Sequence, residues 1–207
     1  MKRHRRSKKR RPKRKVSNLA LIILGILAIV LIGDIIGAVM YLRQSPEMQA
    51  SLMQYIATGD SMSFFQIFWQ QFLYQLTIWT MGLTMIGNIV NLFLIFVRGV
   101  SAGFNLAILV QQADTWTIVL WLFQYILILF TTILSVYFSL RFAYLVIKSL
   151  VKKKYKLIKK HFKLYVTQFI IIVVLTIFTS MLSAVTTPMI RQQMSEDGID
   201  VMMEVEM

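Results

Sequence analysis

Residues 64–110 read FFQIFWQQFLYQLTIWTMGLTMIGNIVNLFLIFVRGVSAGFNLAILV, and within that stretch Arg98 is the single Lys, Arg, Asp or Glu. A bilayer crossing takes about 20 apolar residues as a helix, so the run is roughly two crossings long. Gly87-Asn88 is the turn-forming pair nearest its middle and the natural place for the chain to reverse. The stretch therefore predicts two adjoining membrane helices, 64–86 and 89–110. Working outward, residues 19–41, 117–140 and 165–187 are three further apolar runs of crossing length. The fold class expected is all-α, a multi-pass membrane protein with five transmembrane helices.

Composition agrees. The 207 residues are 57% hydrophobic with a mean hydropathy of +0.65, more apolar surface than one water-soluble core buries. The first run follows a basic leader, as a signal peptide would. An h-region is only about 7–15 residues long, however, and residues 19–39 lack an A-x-A cleavage site, so this run reads as an uncleaved span. Cysteine is absent, which excludes disulfides, thiol catalysis and cysteine-ligated zinc.

The charges sort themselves around the spans. Of 23 Lys and Arg, eleven lie in residues 2–15 and nine in 141–163. The acids Glu47, Asp60 and Asp114 fall between spans, and five more follow residue 195. Five crossings with a cytoplasmic N-terminus put both basic blocks inside and the acidic segments outside, as the positive-inside rule requires. Four crossings would separate the two basic blocks. The expected organisation is a basic cytoplasmic leader (1–16), a five-helix membrane domain (17–187) and an acidic extracytoplasmic tail (188–207).

The formal net charge of +14 raises nucleic acid as a partner. Lys2, Arg3, Arg5, Arg6, Lys8, Lys9, Arg10 and Arg11 have no aromatic neighbour to stack a base, and they abut a span, which favours anionic lipid head groups instead. Lys152, Lys153 and Lys154 belong to a second lipid-facing block, 148–163, expected to extend a helix along the inner leaflet. The largest outer connection, 42–63, holds Ser45-Pro46 and Gly59-Asp60, which bracket a short amphipathic turn around 48–56.

Two charges break the segregation. Arg98 lies ten residues past Asn88, about 15 Å up the predicted third span. It either faces protein or a hydrated cavity near mid-bilayer, or belongs to a helix that starts near Phe93 and snorkels to the inner interface. Asp34 lies about 22 Å up the first span; it either reaches the outer head groups or finds an intramembrane partner among Arg98 and the Tyr and Gln side chains of other spans.

Small and polar residues complete the pattern. Gly82 and Gly87, then Gly99-x-x-x-Gly103, strip side chains from two adjoining helices and predict a close packing face. Gln71 and Gln75 share one face of the second span, and Gln66 and Gln70 a neighbouring one, as a hydrated stripe or interhelical glue. His4 and His161 lack metal-ligand spacing, no phosphate cradle of the G-x-x-x-x-G-K-[ST] type occurs, and no acids pair on a helix face. Neither a cofactor nor an enzyme activity is expected.

The segment Trp79-Thr-Met-Gly-Leu-Thr-Met-Ile-Gly87, followed by Phe96-Val-Arg-Gly-Val-Ser-Ala-Gly-Phe104, resembles the central region of the stage II sporulation protein M family. Its members carry W-x-x-G-L-x-x-x-G, then a positive residue before Gly and a further G-F. The resemblance puts Arg98 at the family's basic position and Gly82, Gly87, Gly99 and Gly103 at its small-residue positions. Many members also carry a proline-containing polar motif on the fourth span, of which Leu122-Phe-Gln-Tyr-Ile126 keeps only Gln124.

What the resemblance implies is a bacterial plasma-membrane protein without chemistry of its own. The family's namesake is a scaffold recruiting peptidoglycan-degrading proteins, so envelope or wall-remodelling proteins are the partners implied. The alternative left open is a small transport component, either a permease or the membrane subunit of an ABC-type exporter with a separate ATPase subunit. Arg98, the glutamines and the glycine-broken helix pair are what such a path would use.

Overall fold

Ser45-Pro46 and Ser63 each open a helix by ordinary capping chemistry. The Ser45 hydroxyl accepts from Met48 N at 3.3 Å, and Pro46 occupies the first helical position, where its missing N–H costs nothing. Ser63 and Gln66 form a reciprocal capping box. In the computed structural model, which describes residues 18–58, 62–151, 153 and 155–205, the chain forms α1 (Asn18–Leu42), α2 (Pro46–Thr58), α3 (Phe64–Met81), α4 (Met85–Gln112), α5 (Thr115–Val151) and α6 (Tyr155–Val205). No strand occurs among the described residues. The basic leader, with Lys2, Arg3, Arg5, Arg6, Lys8, Lys9, Arg10 and Arg11, lies outside them, as do Asp60, Lys152 and Lys154.

Four helices hold segments long and apolar enough to cross a membrane: Ala20–Leu42, Ile86–Gln111, Thr115–Val151 and Ile158–Ile190. The chain is a membrane protein. α3, expected as the second of five spans, is not among the four, because its 18 residues include Gln66, Gln70, Gln71 and Gln75. It packs among α6, α4 and α5.

The reversal between α3 and α4 falls at Gly82-Leu83-Thr84, five residues before the Gly87-Asn88 expected. Thr84 decides this: it has extended backbone, and its hydroxyl accepts from Gly87 N at 2.9 Å. The capping residue therefore starts α4, and Gly87 and Asn88 fall in its first turn. Gly82 caps α3 in ordinary right-handed geometry, φ −63°, so space rather than torsional freedom requires glycine there. A Cβ would strike the Ser139 and Tyr165 side chains.

Two apolar clusters fix the arrangement. Ile26, Val30, Ile78, Ile95 and Val136 form one. Tyr41, Ile108, Leu109 and Ile190 form the other, with Ile118 and Trp121 against it. The second joins the C-terminal ends of α1 and α4 to the start of α5 and the later part of α6. At the opposite end Tyr165, early in α6, hydrogen-bonds Trp79 O, late in α3, at 2.8 Å. α1 and α4 thus run parallel, α3 and α5 run against them, and α6 returns. α2 lies at the Tyr41 end, where Gln49 Nε2 caps the carbonyls of Tyr41 (3.3 Å) and Gln44 (3.2 Å).

The basic block 148–163 does not form a single helix. α5 continues to Val151, α6 begins at Tyr155, and Lys153 closes the turn with a left-handed φ of 53° and an N–H bond to Leu150 O at 2.9 Å. Ser149 packs inward at 4% exposure. Continuation of two long apolar helices and their mutual packing here override the amphipathic spacing. α6 also runs without a break past Thr187, with Pro188 inside it, to Val205.

Candidate functional site

The parallel contact of α1 with α4 is made by glycine on both sides. A Cβ on Gly33 would lie 2.6 Å from Phe96 O, and one on Gly99 would lie 2.6 Å from Val30 O. Cβ atoms on Gly37 and Gly103 would collide with the backbones of Val100 and Asp34 respectively. Two small-xxx-small motifs face each other, so the main chains approach without side chains between them. Gly99 and Gly103 do pack a helix, but the partner is α1 and not the helix carrying Gly82. Gly87 instead sits over its own turn, against Met81 and Thr84. Gly33-x-x-x-Gly37 carried the same spacing signal in the sequence.

This contact places both anomalous charges. Arg98 lies thirteen residues into α4, about 20 Å along the axis, so the helix does not begin near Phe93. The guanidinium sits over the Tyr74 ring, 4.5 Å from its centroid, a cation–π arrangement. Tyr74 donates its hydroxyl to Leu94 O at 3.0 Å. Asp34, half-buried on α1, accepts a 3.0 Å hydrogen bond from the Tyr125 hydroxyl of α5. Of the partners expected for it, Arg98 and the Tyr and Gln side chains of other helices, a tyrosine is the one bonded. Tyr125 also lies near Arg98.

Arg98 opens onto a cavity of about 350 Å³ between α4 and α5, with Tyr74 of α3 on its wall. Ser101, Asn105, Trp121 and Tyr125 supply its other polar or aromatic lining, and Leu94, Val97, Ala102 and Ile128 the apolar part. Trp121 stacks on Tyr125 with centroids 5.2 Å apart, which holds both rings along one side.

Away from the cavity, the glutamines divide. Gln66 spends its side chain on the α3 cap, and Gln70 is exposed. Gln71 accepts from Thr179 (3.0 Å) and Ser180 (3.2 Å) of α6 and donates to Ser183 (3.4 Å). Gln124 of α5 donates to the same Ser183 at 2.8 Å and accepts from Thr186. Gln75 donates to Thr132 at 3.3 Å. Gln71 and Gln75 are thus interhelical glue, with hydroxyls on α5 and α6 as their partners, whereas Gln66 and Gln70 join no other described helix. A second polar knot went unread in the sequence. Asn91 Nδ2 donates to Ser139 (2.9 Å) and Ile78 O (3.0 Å), and Ser139 donates to Asn88 Oδ1 (3.1 Å). Asn88 and Asn91, three apart on one face of α4, were its only signal.

Among the described residues no three His, Asp or Glu side chains converge as a metal site. Lys153 marks the turn between α5 and α6 and is exposed.

No curated protein and no solved structure matches the chain. The profile of the family described as Stage II sporulation protein M matches residues 19–188, from the second residue of α1 to Pro188 in α6. That match takes in the α1–α4 glycine contact, Arg98 with its tyrosines and the polar knots of α3, α5 and α6, and on it the chain belongs to the stage II sporulation protein M family.

Proposed function

We propose that this protein is a non-catalytic scaffold of the bacterial plasma membrane, holding wall-remodelling or other envelope proteins. Family membership over residues 19–188 is the observation that carries this reading. Five crossings by α1, α3, α4, α5 and α6, with the N-terminus cytoplasmic, place both basic blocks against the anionic inner leaflet. α2 and the part of α6 beyond Ile190 then lie at the outer surface, and there the scaffold meets its partners. The amide–hydroxyl knots suit a body that stays rigid while others dock. Pull-down of the full chain after gentle solubilisation tests the proposal: an envelope protein or wall hydrolase should be recovered repeatedly, and consistent recovery of the chain alone would sink it.

One observation favours a second reading, a transport component, and that is the Arg98 cavity. A transporter's central charge faces a hydrated space that opens alternately to the two sides. Co-purification of an ATPase subunit, or solute flux in vesicles abolished by Arg98→Ala, would move the assignment there.

A further inference from the structure

The polar groups that α4 presents to the α4–α5 cavity are short of partners. Among the described residues the Arg98 guanidinium meets two phenols, hydrogen-bonding Tyr74 and lying near Tyr125, and no described carboxylate lies within ion-pair distance of it. Ser101 and Asn105, both exposed, make no hydrogen bond to a described residue. These three side chains stand at i, i+3 and i+7 on α4, one face of a helix, and all three line the cavity. They lie within the apolar segment Ile86–Gln111, where hydrocarbon cannot satisfy them. Two neutral side chains without partners, in a row headed by a guanidinium that has no carboxylate beside it, are an arrangement for receiving an anion.

The shape of the space says which kind. A volume of about 350 Å³ is roughly that of a dozen waters in the liquid, enough for a carboxylate or phosphate head and its first methylenes. A helix about 10–12 Å across does not enter it. Leu94, Val97 and Ile128 give the same cavity apolar walls, and Val97 is 45% exposed on the outside of the bundle, so a hydrocarbon tail meets like surface. From Arg98 the row climbs about 10 Å to Asn105, toward the end of the bundle that carries Tyr41 and Asp114.

We propose that the α4–α5 cavity binds the carboxylate or phosphate of an anionic amphiphile, entering from the leaflet at the C-terminal end of α4 with its tail left among the lipids. Arg98 provides the charge, Ser101 and Asn105 provide neutral donors along the entry, and the Tyr74 ring holds the guanidinium level with the opening. The site does not depend on the scaffold reading, because it requires only that α4 and α5 lie in the bilayer.

Native mass spectrometry of the full chain released from phosphatidylcholine nanodiscs tests this, with oleate, dioleoyl phosphatidate and uncharged oleyl alcohol as probes. One oleate or phosphatidate should be retained per chain, oleyl alcohol should not, and Arg98→Gln should weaken retention roughly tenfold or more. Arg98→Lys should recover part of it. Should Arg98→Gln fail to fold, Asn105→Leu reads the same site, since that side chain supports nothing inside the bundle, and it too should weaken retention. Equal retention of oleyl alcohol, or unchanged retention in the foldable variants, overturns the proposal. Inorganic phosphate that displaces oleate at equal concentration would overturn the lipid source and assign the site to a soluble anion. A co-purifying membrane protein lost in Arg98→Gln, with no oleate retained by the native chain, would assign it to a partner's carboxylate.

Discussion

The Tyr125 hydroxyl donates to Asp34 Oδ1 at 3.0 Å across 91 residues of chain, tying α5 to the carboxylate of α1 at the level where α1 meets α4. Asp34 is held from behind as well, since its backbone lies against Gly103. A carboxylate at this depth is costly without a donor. Tyr125→Phe should therefore destabilise the protein by about 1–3 kcal/mol in thermal unfolding followed in detergent. Asp34→Asn in the Tyr125→Phe background should regain part of that loss, because an unpaired amide costs less than an unpaired carboxylate. Additive losses in the double variant would mean that the bond does not carry the coupling.

The glycines separate cleanly by what surrounds them. Gly37 and Gly103 face main chain, whereas nothing lies within 4 Å of a Cβ on Gly25. Gly37→Val or Gly103→Val should cost about 3 kcal/mol or more, or leave no folded protein, since backbone cannot step aside as a side chain can. Gly25→Ala should be neutral or stabilise by up to about 1 kcal/mol, as expected inside a helix. Melting temperatures of the three variants decide it.

Much of this was open to reading in the sequence, and the failures have definite causes. Apolar length marked α1, α4, α5 and α6, because hydrocarbon demands it whatever the neighbours are. The apolar length of 64–110 predicts α3 as a span as well, while Gln71 and Gln75, which lower its hydropathy, are explained by hydroxyls on α6 and α5 more than 50 residues away. Gly87-Asn88 resembles a break more than Thr84 does, although Thr84 holds the cap, so the sequence points to the wrong turn. Arg98 and Gly99-x-x-x-Gly103 stand out in the sequence, but pairing with Gly33-x-x-x-Gly37 is a tertiary fact. Spacing shows that a helix has a smooth face and not which helix meets it.

Ser183 joins three helices, since its hydroxyl accepts from Gln71 on α3 and Gln124 on α5 while donating to Thr179 O on its own helix. Ser183→Ala should cost about 1–2 kcal/mol, near the upper end for interhelical bonds in membranes. Adding Gln124→Leu should cost less than the sum of the two single changes, because the first has already released one amide. Unfolding in detergent of the two singles and the double gives the coupling.

Asp114 lies between the apolar segments of α4 and α5, at the end of the bundle that carries Tyr41. Hydrogen bonds from Thr117, its side chain first and its backbone N–H second, hold the Asp114 carboxyl below the ordinary carboxylate range. The backbone bond, 2.9 Å from Thr117 N to Oδ1, caps the first turn of α5. A lowered folded-state value means that this stabilisation is complete above the unfolded carboxyl's titration and disappears as pH falls through the folded one. Asp114→Asn should keep a cap while losing that pH dependence, which melting curves between acidic and neutral pH would reveal.

Crossing number and orientation are open to chemical labelling, because the chain contains no cysteine. Position matters: Ser149 is 4% exposed, so a cysteine there would resist reagent on either side of the membrane and report nothing. Lys159 and Ser51 are exposed, and they lie at opposite ends of the bundle, Lys159 in the first turns of α6 and Ser51 on α2 beside the end of α1. In intact cells a membrane-impermeant maleimide should label Ser51→Cys, and Lys159→Cys should react only after the membrane is opened. Labelling of Lys159→Cys from outside would invert the orientation. Labelling of both from the same side would contradict the antiparallel packing itself, since α3 returns from the Ser51 end to the Tyr165 end, and α5 returns a second time before α6 begins.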